Sequence, residues 1–207
     1  HPSGDRERGW QLGIDAGFYG QFDLDYNYDN IGWDGFNGLA ITSRVSDVLA
    51  FKFGAVHTSA HVGDEYAERT GRERIGYTRE ELAATVSWNP GGRWLAYAEL
   101  AHAYETNNEE LQEPGRAELG LEYLAPQVLW GGRFGWYEAG NANSFEERDW
   151  EPDLSLQVGL MARSGSRRWR LGLQYYDGRV PLGEFFFEDQ TSVSLGLYLD
   201  LGQPTRF

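Results

Sequence analysis

Alternation constrains this chain more than any other feature. In the stretch WQLGIDAGFYGQFDL, Trp10, Leu12, Ile14, Ala16, Phe18, Phe22 and Leu24 share one parity. Gln11, Asp15, Tyr19, Gln21 and Asp23 hold the other. A period of two over this length is a strand with one oily face; the three- and four-residue spacing of an amphipathic helix is absent. The pattern returns near Trp33–Ser43, Leu49–His61, Tyr77–Trp88 and Trp94–Tyr104. It returns again near Arg116–Leu124, Leu129–Ala139, Asp153–Arg163, Arg168–Asp177 and Thr191–Leu201. About ten strands are expected, an even number, as single-chain bacterial barrels have.

The connections alternate in length. Short turns are expected at Arg44–Val48, Asn89–Arg93, Ala125–Val128 and Ser164–Arg167. Long polar connections are expected at Asp25–Gly32, Val62–Gly76, Glu105–Gly115, Gly140–Pro152 and Gly178–Gln190. Short periplasmic turns and long extracellular loops are the signature of an outer-membrane barrel. The expectation is therefore all-β: a transmembrane antiparallel up-and-down β-barrel of about ten strands, one domain over residues 1–207, in the bacterial outer membrane. The terminal Phe207 is the kind of residue such barrels present for assembly, although GQPTRF separates it from the last alternating residue.

Composition agrees. The chain holds 27 Gly, 8 Trp, 12 Tyr and 11 Phe, which suit strands and tight turns. No run of apolar residues is long enough for a transmembrane helix. The mean hydropathy of -0.57 is what a barrel gives when only alternate residues face lipid. The absence of Cys fits a bacterial envelope protein. A net charge of -14 argues against nucleic acid as a partner, because phosphate binding needs a basic face. It is compatible with lipopolysaccharide if divalent cations bridge the charges. The chain begins at His1 without Met or a signal segment, so a removed leader is expected.

A soluble sandwich or lipocalin-like barrel also alternates, with its apolar parity turned into a core. The other parity separates the two. It carries Gly, Tyr, Gln and the charges Asp15, Lys52, Glu118, Glu122, Arg133, Arg170 and Asp200, which a narrow membrane barrel packs as an internal ion-pair network. Trp10, Trp88, Trp94, Trp130 and Trp169 lie near strand ends, as an interfacial girdle would.

The chemistry-bearing stretch is Ala50–Tyr66, AFKFGAVHTSAHVGDEY. If Phe51, Phe53 and Ala55 face lipid, so do His57 and Ser59. On the returning strand Glu80 shares the face of Leu82, Ala84, Val86 and Trp88. A hairpin register pairing positions 57–59 with 80 assembles Ser59 as nucleophile, His57 as general base and Glu80 as orienting acid. His57 and His61 share a face but stand about 13 Å apart on a strand, too far for one zinc ion. Asp64, Glu65, Asp149 and Asp177 are oxygen ligands suited to Ca2+, with loop salt bridges as the alternative.

His57-Thr58-Ser59 resembles the His-x-Ser of the outer-membrane phospholipase A and lipid A 3-O-deacylase families. Those families set this pair on an outward-facing strand, with an Asn or Glu partner on the next. They continue Ser-Asn-Gly, whereas this chain has Ser59-Ala60-His61 and its next glycine at Gly63. The blocks HTSAHVGDEY, FEERDWEPDLSLQVGL and LGLQYYDGRVPLGEFF resemble a bacterial envelope family, domain-of-unknown-function family 1207. That resemblance implies an outer-membrane-type barrel, additional N-terminal sequence, and no established activity.

Two functions follow as expectations. One is a hydrolase of outer-leaflet lipid acyl esters, with lipid entering sideways. The other is a narrow, filled barrel whose loop rim (Asp64, Glu65, Glu146, Arg148, Asp149, Asp177, Arg179 and Glu184) meets a polysaccharide or an envelope protein partner. A pore is disfavoured, because about ten strands with bulky inward residues enclose little space.

Overall fold

A computed structural model describes residues 9–126, 129–131, 133–164 and 167–201. Ten strands follow one another in chain order, each hydrogen-bonded to the next. They are β1 (Gly9–Asp23), β2 (Asp29–Arg44), β3 (Leu49–Val62), β4 (Thr78–Trp88) and β5 (Trp94–Thr106). After them come β6 (Gly115–Leu124), β7 (Phe134–Phe145), β8 (Pro152–Ser164), β9 (Arg167–Arg179) and β10 (Asp189–Leu201). Every pairing is antiparallel. The result is an up-and-down sheet curled into a half-barrel.

Parity sorts the two faces as the alternation predicts. The outward set is bare: Leu12 and Leu195 are each 73% exposed, and Phe53, Leu156 and Leu173 stand beside them on the same face. The inward set is polar and interlocked. Arg116 donates to Glu99 at 2.7 Å and to Glu81 and Glu118 at 3.2 Å. Tyr97 and Asn141 both donate to Glu118, each at 2.7 Å. Lys52 meets Asp15 at 2.6 Å, and Arg170 meets Asp200 at 2.9 Å. An enclosed apolar centre between sheets, as in a sandwich, is not how this chain is packed. Among the described residues no helix is long and apolar enough to cross a membrane, which says nothing of strands.

Three expectations change. First, among the described residues β1 and β10 are not joined by a ladder, so the sheet is a half-barrel where a closed barrel was expected. Their loop-side ends are nevertheless tied together by a short helix, α1 (Asp64–Thr70), and the residues after it. Arg69 reaches Asp23 of β1 at 2.8 Å, and Arg72 reaches Glu188, just before β10, at 2.5 Å. Second, α1 itself interrupts what read as plain loop. Its first turn holds Asp64 and Glu65, its last turn Arg69, and Gly71 caps it at φ 72°.

Third, β7 runs to Phe145, where the sequence suggested Leu129–Ala139 and then loop. The chain turns first, with Trp130 and Gly131 both at positive φ and a single bridge between Leu129 and Phe134. The later half, Gly140–Ser144, carries no oily parity, because its outward positions are Gly140, Ala142 and Ser144, while Asn141 spends its amide inside on Tyr97 and Glu118. A strand held by internal hydrogen bonds leaves no hydrophobic trace. Lengthening this turn and shortening the β7–β8 loop breaks the strict short–long alternation. Residues 127–128 and 165–166, in two expected turns, and the terminal Phe207 lie outside the described residues.

The connection between β9 and β10 folds inward and caps the loop end. Leu182 and Phe185 pack with Val62, and Phe186, with no exposed surface, packs with Ala60 and Tyr77. Gly183 makes that approach possible, since a Cβ there would meet the Tyr77 ring at 2.5 Å and Ala60 Cβ at 2.8 Å. Phe187 alone of the three phenylalanines stays half exposed.

Candidate functional site

The β3–β4 hairpin sets the geometry. Its register pairs His57 with Glu80 and Ser59 with Thr78, while β2 places Asn37, Gly35 and Trp33 beside His57, Ser59 and His61. All of these positions have outward parity, so one rung of the wall reads Asn37, His57, Glu80 and the next Gly35, Ser59, Thr78.

His57 Nδ1–H donates to Glu80 Oε1 in a short contact, so the expected register does bring these two side chains together. Ser59 has a different neighbour. Its Oγ lies 3.1 Å from Nε2 of His61, two residues further along the same face. With the proton on Nδ1, the hydroxyl donates to Nε2, and His61 rather than His57 is the group placed to take the serine proton. The expected trio is therefore split into two pairs. His61 is held by stacking: its ring lies 4.2 Å from Trp33, which in turn stacks on Phe18 at 5.5 Å.

A groove of about 500 Å³ opens beside this wall. Trp33, His61, Gly76, Thr78, Arg74 and Asn107 are among its lining residues. Asn107 Oδ1 accepts from the Thr78 backbone N–H at 2.8 Å, which fixes the rim next to Ser59. Glu65 also lines the groove, and Arg74 pairs there with Asp64.

The cap backs the wall from inside. Glu184, buried, accepts the N–H groups of Ile75 and Gly76 at 2.7 Å each and of Tyr77 at 3.2 Å. Gly183 N–H donates to Asp34 at 2.8 Å. Arg148 donates to Phe186 O at 2.9 Å and to Asp189 at 2.6 Å. Beneath lies Arg79, only 2% exposed, which donates to Glu81 at 2.7 Å and to the carbonyls of Glu113 and Pro114 at 2.8 Å each. It also faces Glu147 at 3.5 Å. A guanidinium so deeply buried is tolerated only because its donors are engaged. Burial pushes the Glu147 carboxyl up, against the opposing pull of Arg79, and its Oε2 has no hydrogen-bond partner. Burial likewise raises the Tyr77 phenol.

The four carboxylates suggested for Ca2+ are not brought together. Asp64 sits in the first turn of α1 against Arg74, and Glu65 beside it lines the groove. Asp149 caps a 3-10 turn after β7, and Asp177, on β9, accepts from Thr191 at 2.7 Å. Among the described residues no three His, Cys, Asp or Glu side chains converge on a point suited to a metal ion. They are carried on separate elements, and two of them are already engaged, Asp64 by Arg74 and Asp177 by Thr191. Sequence reasoning missed His61 as the partner of Ser59, although the i, i+2 spacing of Ser59 and His61 was there to be read.

Comparison with known proteins adds one finding. The sequence family described as protein of unknown function (DUF1207) matches residues 3–200. Neither a curated protein nor a solved structure matches the chain.

Proposed function

The chain belongs to this family of unknown function, DUF1207, and from that premise we propose that it is an outer-membrane barrel that hydrolyses acyl esters of outer-leaflet lipids. The observation that carries the reading is the 3.1 Å contact between Ser59 Oγ and His61 Nε2 on the outward wall, beside a groove. Ser59 Oγ attacks the ester carbonyl while His61 Nε2 takes its proton. The protonated imidazole then gives that proton to the departing alcohol, leaving an acyl-serine. Water, deprotonated by the same imidazole, releases the fatty acid. The His57–Glu80 pair adjoins the dyad without touching Ser59, so its place is to order the wall.

The outward Leu, Val and Phe set supports the membrane part of the reading. Hydrocarbon does not tolerate unpaired sheet edges. In the bilayer β1 and β10 therefore seal to each other, antiparallel because the strand number is even and held in reach by α1. The chain has no cysteine, so the variant pair Ala16→Cys with Leu195→Cys tests this directly. An intramolecular crosslink in membranes supports closure, and its absence across neighbouring registers refutes it.

The activity is tested by fatty-acid release from phospholipid and lipid A in mixed micelles. Wild type should release it and Ser59→Ala should not; equal release from both removes the hydrolase claim. The capped loop end favours a second reading, a non-enzymatic barrel whose rim meets an envelope partner. That reading gains if neither protein releases fatty acid while Glu184→Ala, which loosens the cap, loses an envelope partner that wild type retains.

A further inference from the structure

A second feature of the outward wall lies on the far side of the sheet, near the short-turn end. Leu121, Leu156, Val158 and Leu173 line a shallow apolar groove of about 550 Å³. Its floor is Gly140, whose neighbours across the ladders are Leu121 and Leu156. A Cβ added there would only touch Leu156, at 3.4 Å, so the notch is open space that a larger side chain would fill.

One charge stands in this groove. Glu138 has outward parity, with Tyr123 and Val158 as its neighbours across the ladders, and it is exposed. It makes no hydrogen bond or ion pair with the described residues, and no Lys or Arg lines the groove. Two outward carboxylates nearer the loop end do have partners: Glu80 is matched by His57, and Asp177 accepts from Thr191. Glu138 also has a defined level. It lies two residues beyond Trp136, about 7 Å along the strand. Trp136 forms a cluster with Tyr123 at 5.2 Å, and Tyr123 meets Trp94 at 4.6 Å. Aromatic clusters of this kind mark the boundary between headgroups and acyl chains.

We propose that this groove binds an aminophospholipid, its primary ammonium on Glu138 and an acyl chain along the Gly140 notch toward Leu156 and Leu173. The inference rests on the membrane reading above. A lone carboxylate against hydrocarbon is costly unless it is neutralised or paired. A cationic headgroup is the partner whose own attached chain is matched by the adjoining apolar surface. Anionic lipids are disfavoured at the same place, because only Glu138 is charged there.

The test uses the full chain in nanodiscs with equal phosphatidylethanolamine and phosphatidylglycerol, followed by native mass spectrometry of retained lipid. Wild type should retain phosphatidylethanolamine about tenfold over phosphatidylglycerol, the worth of one charge-assisted hydrogen bond. Glu138→Gln should erase the preference and Glu138→Lys should reverse it. Gly140→Phe should reduce retention of both lipids while the protein stays folded in the disc. An unchanged preference in Glu138→Gln, or more phosphatidylglycerol than phosphatidylethanolamine on wild type, overturns the proposal. Carbonate extraction keeps the two failures apart. A protein released by carbonate sinks the membrane reading itself, whereas an inserted protein without headgroup preference sinks only this site.

Discussion

The outward face of β2–β4 and that of β7–β9 share one construction and differ in content. Both are period-two strands in continuous antiparallel register. On β2–β4 the polar outward groups come in adjoining rungs, so His57 finds Glu80 and Ser59 finds His61. On β7–β9 the outward rungs through the groove are oily, and Glu138 is left without a protein partner. The inner sides differ as well. The first wall is backed at the loop end by the cap, through Phe186 on Ala60 and Leu182 on Val62. The second is backed by Tyr137, 1% exposed, lying across Gly159 and Gly172. Polar groups on an outward wall thus settle each other when they share a rung or a column, and otherwise need something from outside.

The largest effect that can break this contrast lies in the two histidines. His61→Ala should lower fatty-acid release by about a thousandfold, roughly 4 kcal/mol in the barrier. His57→Ala should stay within about tenfold, and equal losses in both would show that the pairing in the wall is not the catalytic one. Next comes the backing of the first wall. Glu184→Ala removes the acceptor of three N–H groups, one buried and two half-buried, at a cost of about 3 kcal/mol. Denaturant unfolding should show the loss, and hydrogen exchange should localise it to residues 75–77 while the Tyr137 region stays protected.

The backing of the second wall is tested by Gly172→Ala, whose new Cβ would lie 2.2 Å from Tyr137 Oη. Displacing that ring should cost about 2 kcal/mol, without change at Ser59. A Gly172→Ala protein as stable as wild type would mean that Tyr137 is not wedged. The smallest effect is on pH. Burial holds the Glu147 carboxyl above its ordinary value, so the folded state favours its protonated form. The stability from this group is complete below the ordinary carboxylate range and is lost as pH rises through the raised value. Urea midpoints taken from acid to neutral pH should fall more steeply for wild type than for Glu147→Gln; parallel curves would assign the dependence elsewhere.

Much of this could be read before any coordinates. The first and last strands, the outward Leu and Phe parity, and the rung joining His57 to Glu80 are each set within a strand or a hairpin; parity also turned Asp15, Lys52, Arg170 and Asp200 inward, although Lys52 meets Asp15 only by reaching across β2. The end of β7 could not, because its outward positions are the weakly apolar Gly140, Ala142 and Ser144 while Asn141 is held by partners on other strands. Nor could the cap, where a Glu in a polar loop is the acceptor for three amides more than a hundred positions away. The coming apart of the expected Ser59–His57 pair belongs to the same class. Parity places three side chains in a column, and only their rotamers and the Trp33 stack decide which of them touch.

By itself the sequence determined a two-faced antiparallel sheet of ten strands in chain order, because side-chain alternation is a property of consecutive residues and hairpin pairing follows from short connections. Tertiary structure alone decided that the loop end is plugged and that His61 is the partner of Ser59. Those outcomes depend on contacts between distant segments, where burial, side-chain reach and hydrogen-bond supply are settled only once the whole sheet has curled.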